Sequence, residues 1–337
     1  MTEKRNYIVS MVLLFLCSFV AILCFSCANY KEVAAVTFTF ILFCLPGPFI
    51  LKNLMKLSVP DLVIFGSISG MAVSCLFVTL FVFVFGWNLF AISACLLLIS
   101  SGLIWLSKKG YELPALFSSD WSQRHYIILI ASLFIVLLSI SLPLLNIGKL
   151  TEQGHGYTWL IGHDFLWRVT ASFSVARGLP AESFDFAQHN MNYYILFYTL
   201  PAYAYHILQS KASMESILIV TQVFLSVMFV SVFFATVRNL FKRDKSIAFI
   251  MLSSFFTYSY IWIYVVAQRL LNFLLKTYPY LEQKLMISNW VPQFMENSAH
   301  SHTFYRFLLV QPHVVIALSI LLMGICFLVG FSSIFSL

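Results

Sequence analysis

The sequence predicts an all-α, polytopic integral membrane protein with about eight transmembrane helices, and three observations lead there. Of its 337 residues, 61% are hydrophobic and only 10% carry charge, whereas soluble domains carry about 25%. Mean hydropathy is +0.90. Eight apolar runs, 7–28, 33–51, 61–86, 89–107, 125–147, 213–236, 246–268 and 308–330, are each about as long as the ~20 residues a spanning helix needs.

Each run has its own reasons. The N-terminus, MTEKRNYIVSMVLLFLCSFVAILCFSC, has a basic start. Its apolar stretch is longer than a signal-peptide core and no small-x-small cleavage site follows, so it is expected to stay as the first span. The second run ends at CLPGPF, where Pro46, Gly47 and Pro48 are expected to break the helix near a headgroup boundary. The third and fourth runs are separated by the turn GWN at 86–88. A ninth apolar run, 191–208, is shorter and carries Tyr193, Tyr194, Tyr198, Tyr203 and Tyr205. The seven cysteines lie within apolar runs and read as small apolar residues, with no disulfide framework implied.

Charge decides whether the ninth run spans. With the N-terminus in the cytoplasm, the loops holding Lys52, Lys56, Lys108, Lys109 and Arg124 face inward, and segment 148–212 faces outward. If 191–208 does not cross, Arg238, Lys242, Arg243 and Lys245 also face inward. That is the arrangement the positive-inside rule favours. The expected layout has two sizeable outer segments, 148–212 and 269–307, with short inner loops. No loop on the inner side is large enough to bind a nucleotide sugar. No Lys/Arg run suits nucleic acid, and the net charge of +7 fits loops that meet anionic headgroups.

One polar stretch stands out, IGHDFLWRVTASFSVARGLP at 161–180. Phe165, Val169, Ser172 or Phe173, and Ala176 recur at helical spacing on one side, and Asp164 and Arg168 are i,i+4 neighbours on another. Gly178 and Pro180 end the helix. The expectation is an amphipathic helix, opened by Asp164 and lying on the outer membrane surface, followed at 191–208 by a tyrosine-rich helix that is interfacial or re-entrant on the outer face. Alone, Asp164 and Arg168 amount to a surface ion pair contributing about 0–1 kcal/mol.

The order of parts (span, outer loop with an acid, amphipathic helix closed by RGLP, aromatic helix, span with a basic inner end) resembles the GT-C class of membrane glycosyltransferases. In this likeness GHDFLWRVTASFSVARGLP corresponds to the loop acid and first jaw helix, NMNYYILFYTLPAYAYHIL to the second, and MESILIVTQVFLSVMFVSVFFATVRNLFKRDK to the next span. Residues 1–124 resemble an extra N-terminal four-helix membrane bundle of some bacterial relatives, and 125–337 the membrane core. The resemblance implies transfer of a sugar from a polyprenyl-phosphate donor to a cell-surface acceptor at the outer face of a bacterial plasma membrane. It departs from the class in two ways. His163–Asp164 stands where an acidic pair is common, and the chain has fewer spans, ending at GFSSIFSL just after a helix. That reads as an N-terminal fragment or a short relative.

The chemistry needs a base for the acceptor hydroxyl and positive charge for the departing phosphate. Asp164 is the candidate base, and direct displacement inverts the anomeric centre. Arg168 or Arg177 is the candidate phosphate partner, because a guanidinium binds phosphate bidentately. The alternative is a divalent metal such as Mg or Mn held by Asp164 with His163 or Glu152. His163 and His189 are further substrate-side candidates, as are Gln311 and His313, which flank Pro312 at the outer end of the last span; there Pro312 is expected to loosen the helix beside a cavity. Glu182 and Asp185 read as solvated loop residues, and His300 and His302 as a wet loop. The rival readings are a transporter of lipid-linked sugars, a glycan polymerase, and a non-catalytic or truncated membrane protein.

Overall fold

A computed structural model describes residues 30–107, 121–144, 149–151, 154–156, 159–182, 195–209, 211–241, 243–257 and 312–335. Among them the helices are α1 (Tyr30–Cys44), α2 (Pro46–Leu54), α3 (Val59–Phe85), α4 (Leu89–Ser107) and α5 (Gln123–Leu144), followed by α6 (Trp159–Arg177), α7 (Ile195–Ile207), α8 (Met214–Leu240), α9 (Asp244–Thr257) and α10 (Pro312–Phe335). A small antiparallel ribbon, β1 (Lys149–Thr151) with β2 (Gly154–Gly156), pairs Leu150 with His155 before α6.

Four stretches are long and apolar enough to cross a membrane: the α1–α2 rod over Tyr30–Leu54, α3, α4 and α8. Two shorter apolar stretches, Gln123–Leu137 of α5 and Ile316–Gly330 of α10, accompany them. Outward faces stay apolar, with Phe90 85% exposed on α4 and Leu328 71% on α10, as lipid-facing side chains are. These features support an integral membrane protein. The expected span 7–28 lies outside the described residues, and 246–268 is described only to Thr257.

The CLPGPF stretch does not break the rod. Leu45 keeps helical dihedrals (φ −54°, ψ −43°) and Pro46 opens α2, the first-turn position where proline's missing N–H costs nothing. Gly47 then lets α2 lie against α3 backbone to backbone. A Cβ on Gly47 would sit 1.8 Å from the Gly66 carbonyl oxygen, and one on Gly70 would sit 2.4 Å from the Cys44 carbonyl oxygen. The run therefore ends at Leu54 rather than at the prolines.

Helix α8 is the central post. It packs against α1, α3, α5, α6, α7, α9 and α10, and 89% of its most apolar stretch is buried, against 17% for α4 at the periphery. Aromatic contacts tie neighbours together: Phe40 of α1 stacks on Phe224 of α8 at 4.8 Å, and Phe65 of α3 meets Phe327 of α10 edge-on at 5.5 Å.

The contacts between helix ends define the two faces. At one end Asn53 Nδ2 donates to Leu103 O across 3.1 Å, joining the ends of α2 and α4. Asp61 at the start of α3 meets Trp121 just before α5 and Arg238 at the end of α8 there. At the opposite end Trp87, between α3 and α4, donates to Val175 O near the end of α6, and Ser213 N donates to Glu32 Oε1 at the start of α1. So α5 starts at the first end, and α8 runs from the opposite end to the first. Described basic residues Lys52, Lys56, Arg124, Arg238, Arg243 and Lys245 gather towards the first end.

Two expectations about the intervening segment need correction. Of the interfacial and re-entrant alternatives for 191–208, the interfacial one does not hold, because α7 is not laid on a surface. Its residues Phe197 to Ala204 are all buried, and it packs among α1, α3, α6 and α8. Its tyrosines do not need an interface: Tyr198 and Tyr203 are 0% and 1% exposed, and the Tyr203 hydroxyl hydrogen-bonds Ser93 on α4. Its described 13 residues cover about 20 Å, against a hydrocarbon core of ~30 Å. Helix α6 is two-sided as expected, but it begins at Trp159, so Asp164 lies within it and does not open it.

Candidate functional site

The stripe on α6 is wider than its apolar residues alone suggest. Phe165, Val169, Ser172 and Ala176 are buried as expected, while Leu166, Thr170 and Arg177 are exposed. Arg168 was expected on the polar side, yet it is 5% exposed and shares the buried face. Helical geometry accounts for this, because 165, 168, 169, 172 and 176 follow i, i+3, i+4, i+7 and i+11. The guanidinium therefore points into the packed side of α6, one turn beyond Asp164.

The far end of α6 is pinned by two aromatic side chains. Trp87 Nε1 donates to Val175 O at 3.0 Å, and His206 Nε2 lies 2.8 Å from Ala176 O. Because a carbonyl only accepts, Nε2 carries the ring hydrogen in this contact. The two rings lie 4.7 Å apart. They bond two carbonyls of the last turn of α6, of which Val175 O also accepts from Gly178 N at 3.1 Å, and they join α6 to the end of α7 and to the α3–α4 turn. Gly178 follows with φ +147°, a conformation that suits glycine and takes the chain out of the helix.

Of the other expected site residues, His163 and Asp164 lie on α6 but their side chains are outside the described residues, as is that of His313 on α10. Glu152, His189 and Gln311 lie outside them altogether, as do Asp185, His300 and His302. Helix α10 is described from Pro312 onward, so the expected loosening beside Gln311 lies outside the described residues. Among the described residues no group of three or more His, Cys, Asp or Glu side chains is placed to hold a metal ion.

The most developed polar constellation is at the other end of the bundle, and the sequence reading did not single it out. Asp61 is 0% exposed and accepts from four donors. Arg238 Nη2 and Ser58 Oγ reach its Oδ2 at 2.6 and 2.5 Å; Trp121 Nε1 and Asn239 Nδ2 reach its Oδ1 at 3.3 and 3.4 Å. The guanidinium lies 5.1 Å from the Trp121 ring, close enough for a cation–π attraction. Beside them His125 Nε2 and Arg124 Nη1 approach Asp244 at 3.1 and 3.7 Å. A carboxylate this fully committed and closed to solvent is built to join helices, not to meet a substrate. Arg238 had been read only as one of the basic residues that set topology.

Helix α8 also carries an amide in its interior. Gln222 is 3% exposed, and among the described residues its Nε2 has no hydrogen-bond partner. It lies about 12 Å along α8 from Met214 at 1.5 Å per residue.

No family model matches the chain, and no curated protein or solved structure is significantly similar to it.

Proposed function

We propose that the chain is a membrane glycosyltransferase that moves a sugar from a polyprenyl-phosphate-linked donor to a cell-surface acceptor. The reaction is assigned to the face opposite the basic end, which is the outer face of the plasma membrane if the basic end is cytoplasmic. Asp164 takes the proton from the acceptor hydroxyl. The acceptor oxygen attacks the anomeric carbon, the bond from that carbon to the phosphate oxygen breaks with inversion, and polyprenyl phosphate leaves with the electron pair. Arg168 or Arg177 meets the phosphate, a group that guanidinium binds well.

The observation that carries this reading is the placement of α6. Its far end is fixed at the non-basic end by Trp87 and His206, and the same helix carries Asp164 and, one turn on, a buried arginine. A base and a cation on one held helix suit a donor that arrives sideways from the bilayer.

The test uses purified protein in detergent or proteoliposomes with a panel of polyprenyl-phosphate hexoses, following release of polyprenyl phosphate. A positioned base contributes roughly 10²–10⁴-fold, and Asp164→Asn is expected to lose that much turnover at unchanged abundance. Equal turnover in the wild type and in Asp164→Asn rejects Asp164 as the base. No turnover by the wild type with any donor of the panel rejects the reaction.

A further inference from the structure

We propose that the Asp61–Arg238 pair is a register lock, fixing how far α8 slides along its axis and how it is rotated, and through α8 the geometry of the opposite face. The need for such a device follows from the sequence of α8. Of its 27 residues 21 are buried, and apolar residues surround it on all sides. An apolar stripe normally tells a helix which face to turn inward, and α8 has no such stripe. Its hydroxyls do not help either. Thr221, Ser226, Ser231 and Thr236 each bond a carbonyl of the preceding turn of α8, on Ile217, Gln222, Val227 and Val232. They are spent within the helix and say nothing about its neighbours.

Arg238 and Asn239 are different, because both reach Asp61 on α3. Asp61 is itself fixed: Ser58 caps α3 and bonds the same carboxylate, and Trp121 approaches from the start of α5. A slip of α8 by one turn, about 5.4 Å, would leave both charges buried and apart. Buried ionic groups are best attested as devices that set register, as distinct from sources of stability. At its other end α8 begins beside Glu32, which accepts from Ser213 N at 3.3 Å, and it packs against α6 and α7. A slip at Arg238 therefore displaces the start of α8 against α1 and disturbs the seat of the segment that carries Asp164.

The test separates register from stability. Cysteines replace Glu32 and Ser213 in the full chain. A short thiol-reactive cross-linker is applied in membranes, and cross-linked peptides are identified by mass spectrometry, so that the native cysteines do not interfere. The same pair is then placed in an Asp61→Leu/Arg238→Met background, which removes both charges together. The expected result is a variant as abundant and as monodisperse in detergent as its parent, with the 32–213 cross-link lost. Two results overturn the proposal. A well-folded double variant that cross-links like its parent means that the pair does not set register. A double variant that aggregates or is degraded means that the pair supplies stability instead.

Discussion

Removing one member of the buried pair is the perturbation whose size the structure states best. In Arg238→Met the Asp61 carboxylate stays 0% exposed and keeps Ser58, Trp121 and Asn239 as donors, but loses its counter-charge at 2.6 Å. In Asp61→Asn the guanidinium, 3% exposed, keeps Asn239 Oδ1 at 2.8 Å and the Trp121 ring, and loses the carboxylate. Either change strands a charge in a medium that solvates it poorly, at a cost of about 3–5 kcal/mol, whereas replacing both partners with apolar residues is often neutral or stabilising. Each kcal/mol moves the melting temperature of a 150–250-residue domain by about 2–4 °C, so each single variant should melt on the order of 10 °C lower. The double variant Asp61→Leu/Arg238→Met should recover most of that loss. The assay is fluorescence-detected size-exclusion chromatography after heating in detergent, run on all four members of the cycle. Single variants as stable as the parent within about 1 kcal/mol, or losses that simply add in the double variant, would refute the reasoning, because partners in direct contact couple and do not add.

Two further predictions concern packing. Gly47→Ala places a methyl 1.8 Å from the Gly66 carbonyl; overpacking of this kind costs at least about 1–3 kcal/mol and should lower membrane abundance sharply. Gly102→Ala, with open space at its Cβ, serves as the matched control and should leave abundance unchanged. Gln222→Leu removes a buried amide nitrogen that has no partner among the described residues; relieving that desolvation should raise stability by about 1–3 kcal/mol, read as a higher melting temperature. A drop in melting temperature would mean that the amide is satisfied in the protein.

Composition and run length made the membrane class and most helices legible. The α3, α4 and α8 runs fall within a few residues of their observed helices, because a stretch with almost no polar side chains has few other ways to satisfy its backbone. Local rules were weaker where tertiary contact decides. CLPGPF carries strong breaker signals, but Pro46 sits where a helix tolerates proline and Gly47 is used for close approach to Gly66 and Gly70. Tyrosine-rich 191–208 read as interfacial because tyrosine is common there, yet Tyr203 finds Ser93 and Phe43 inside the bundle. Arg168 was assigned to the polar face by its charge when the helical repeat places it between Phe165 and Ser172. The Asp61 cluster had a partial signal, since a lone acid just inside an apolar run implies a partner. Its partner is 177 positions away, and nothing in one sequence selects Arg238 over the other basic residues at that end.

The burial of α7 bears on what the proposed reaction requires. Had α6 and α7 both rested on the surface, water would reach them from above and a soluble donor would fit as well as a lipid-linked one. Instead α7 is sunk among α1, α3, α6 and α8, and α6 turns Arg168 towards its packed side. In the proposed reaction, a phosphate that meets this guanidinium does so on the packed side of α6. A polyprenyl phosphate does so naturally, because its chain stays in the hydrocarbon while its headgroup remains near the interface. In that low-dielectric setting one arginine attracts the departing phosphate more strongly than it would in water. The reading therefore makes Arg168 a stronger candidate than the exposed Arg177 for the phosphate. Comparing Arg168→Gln with Arg177→Gln in the donor-release assay tests that ranking: the first should lose most of the turnover and the second little, and the reverse order would place the phosphate outside the packed face of α6.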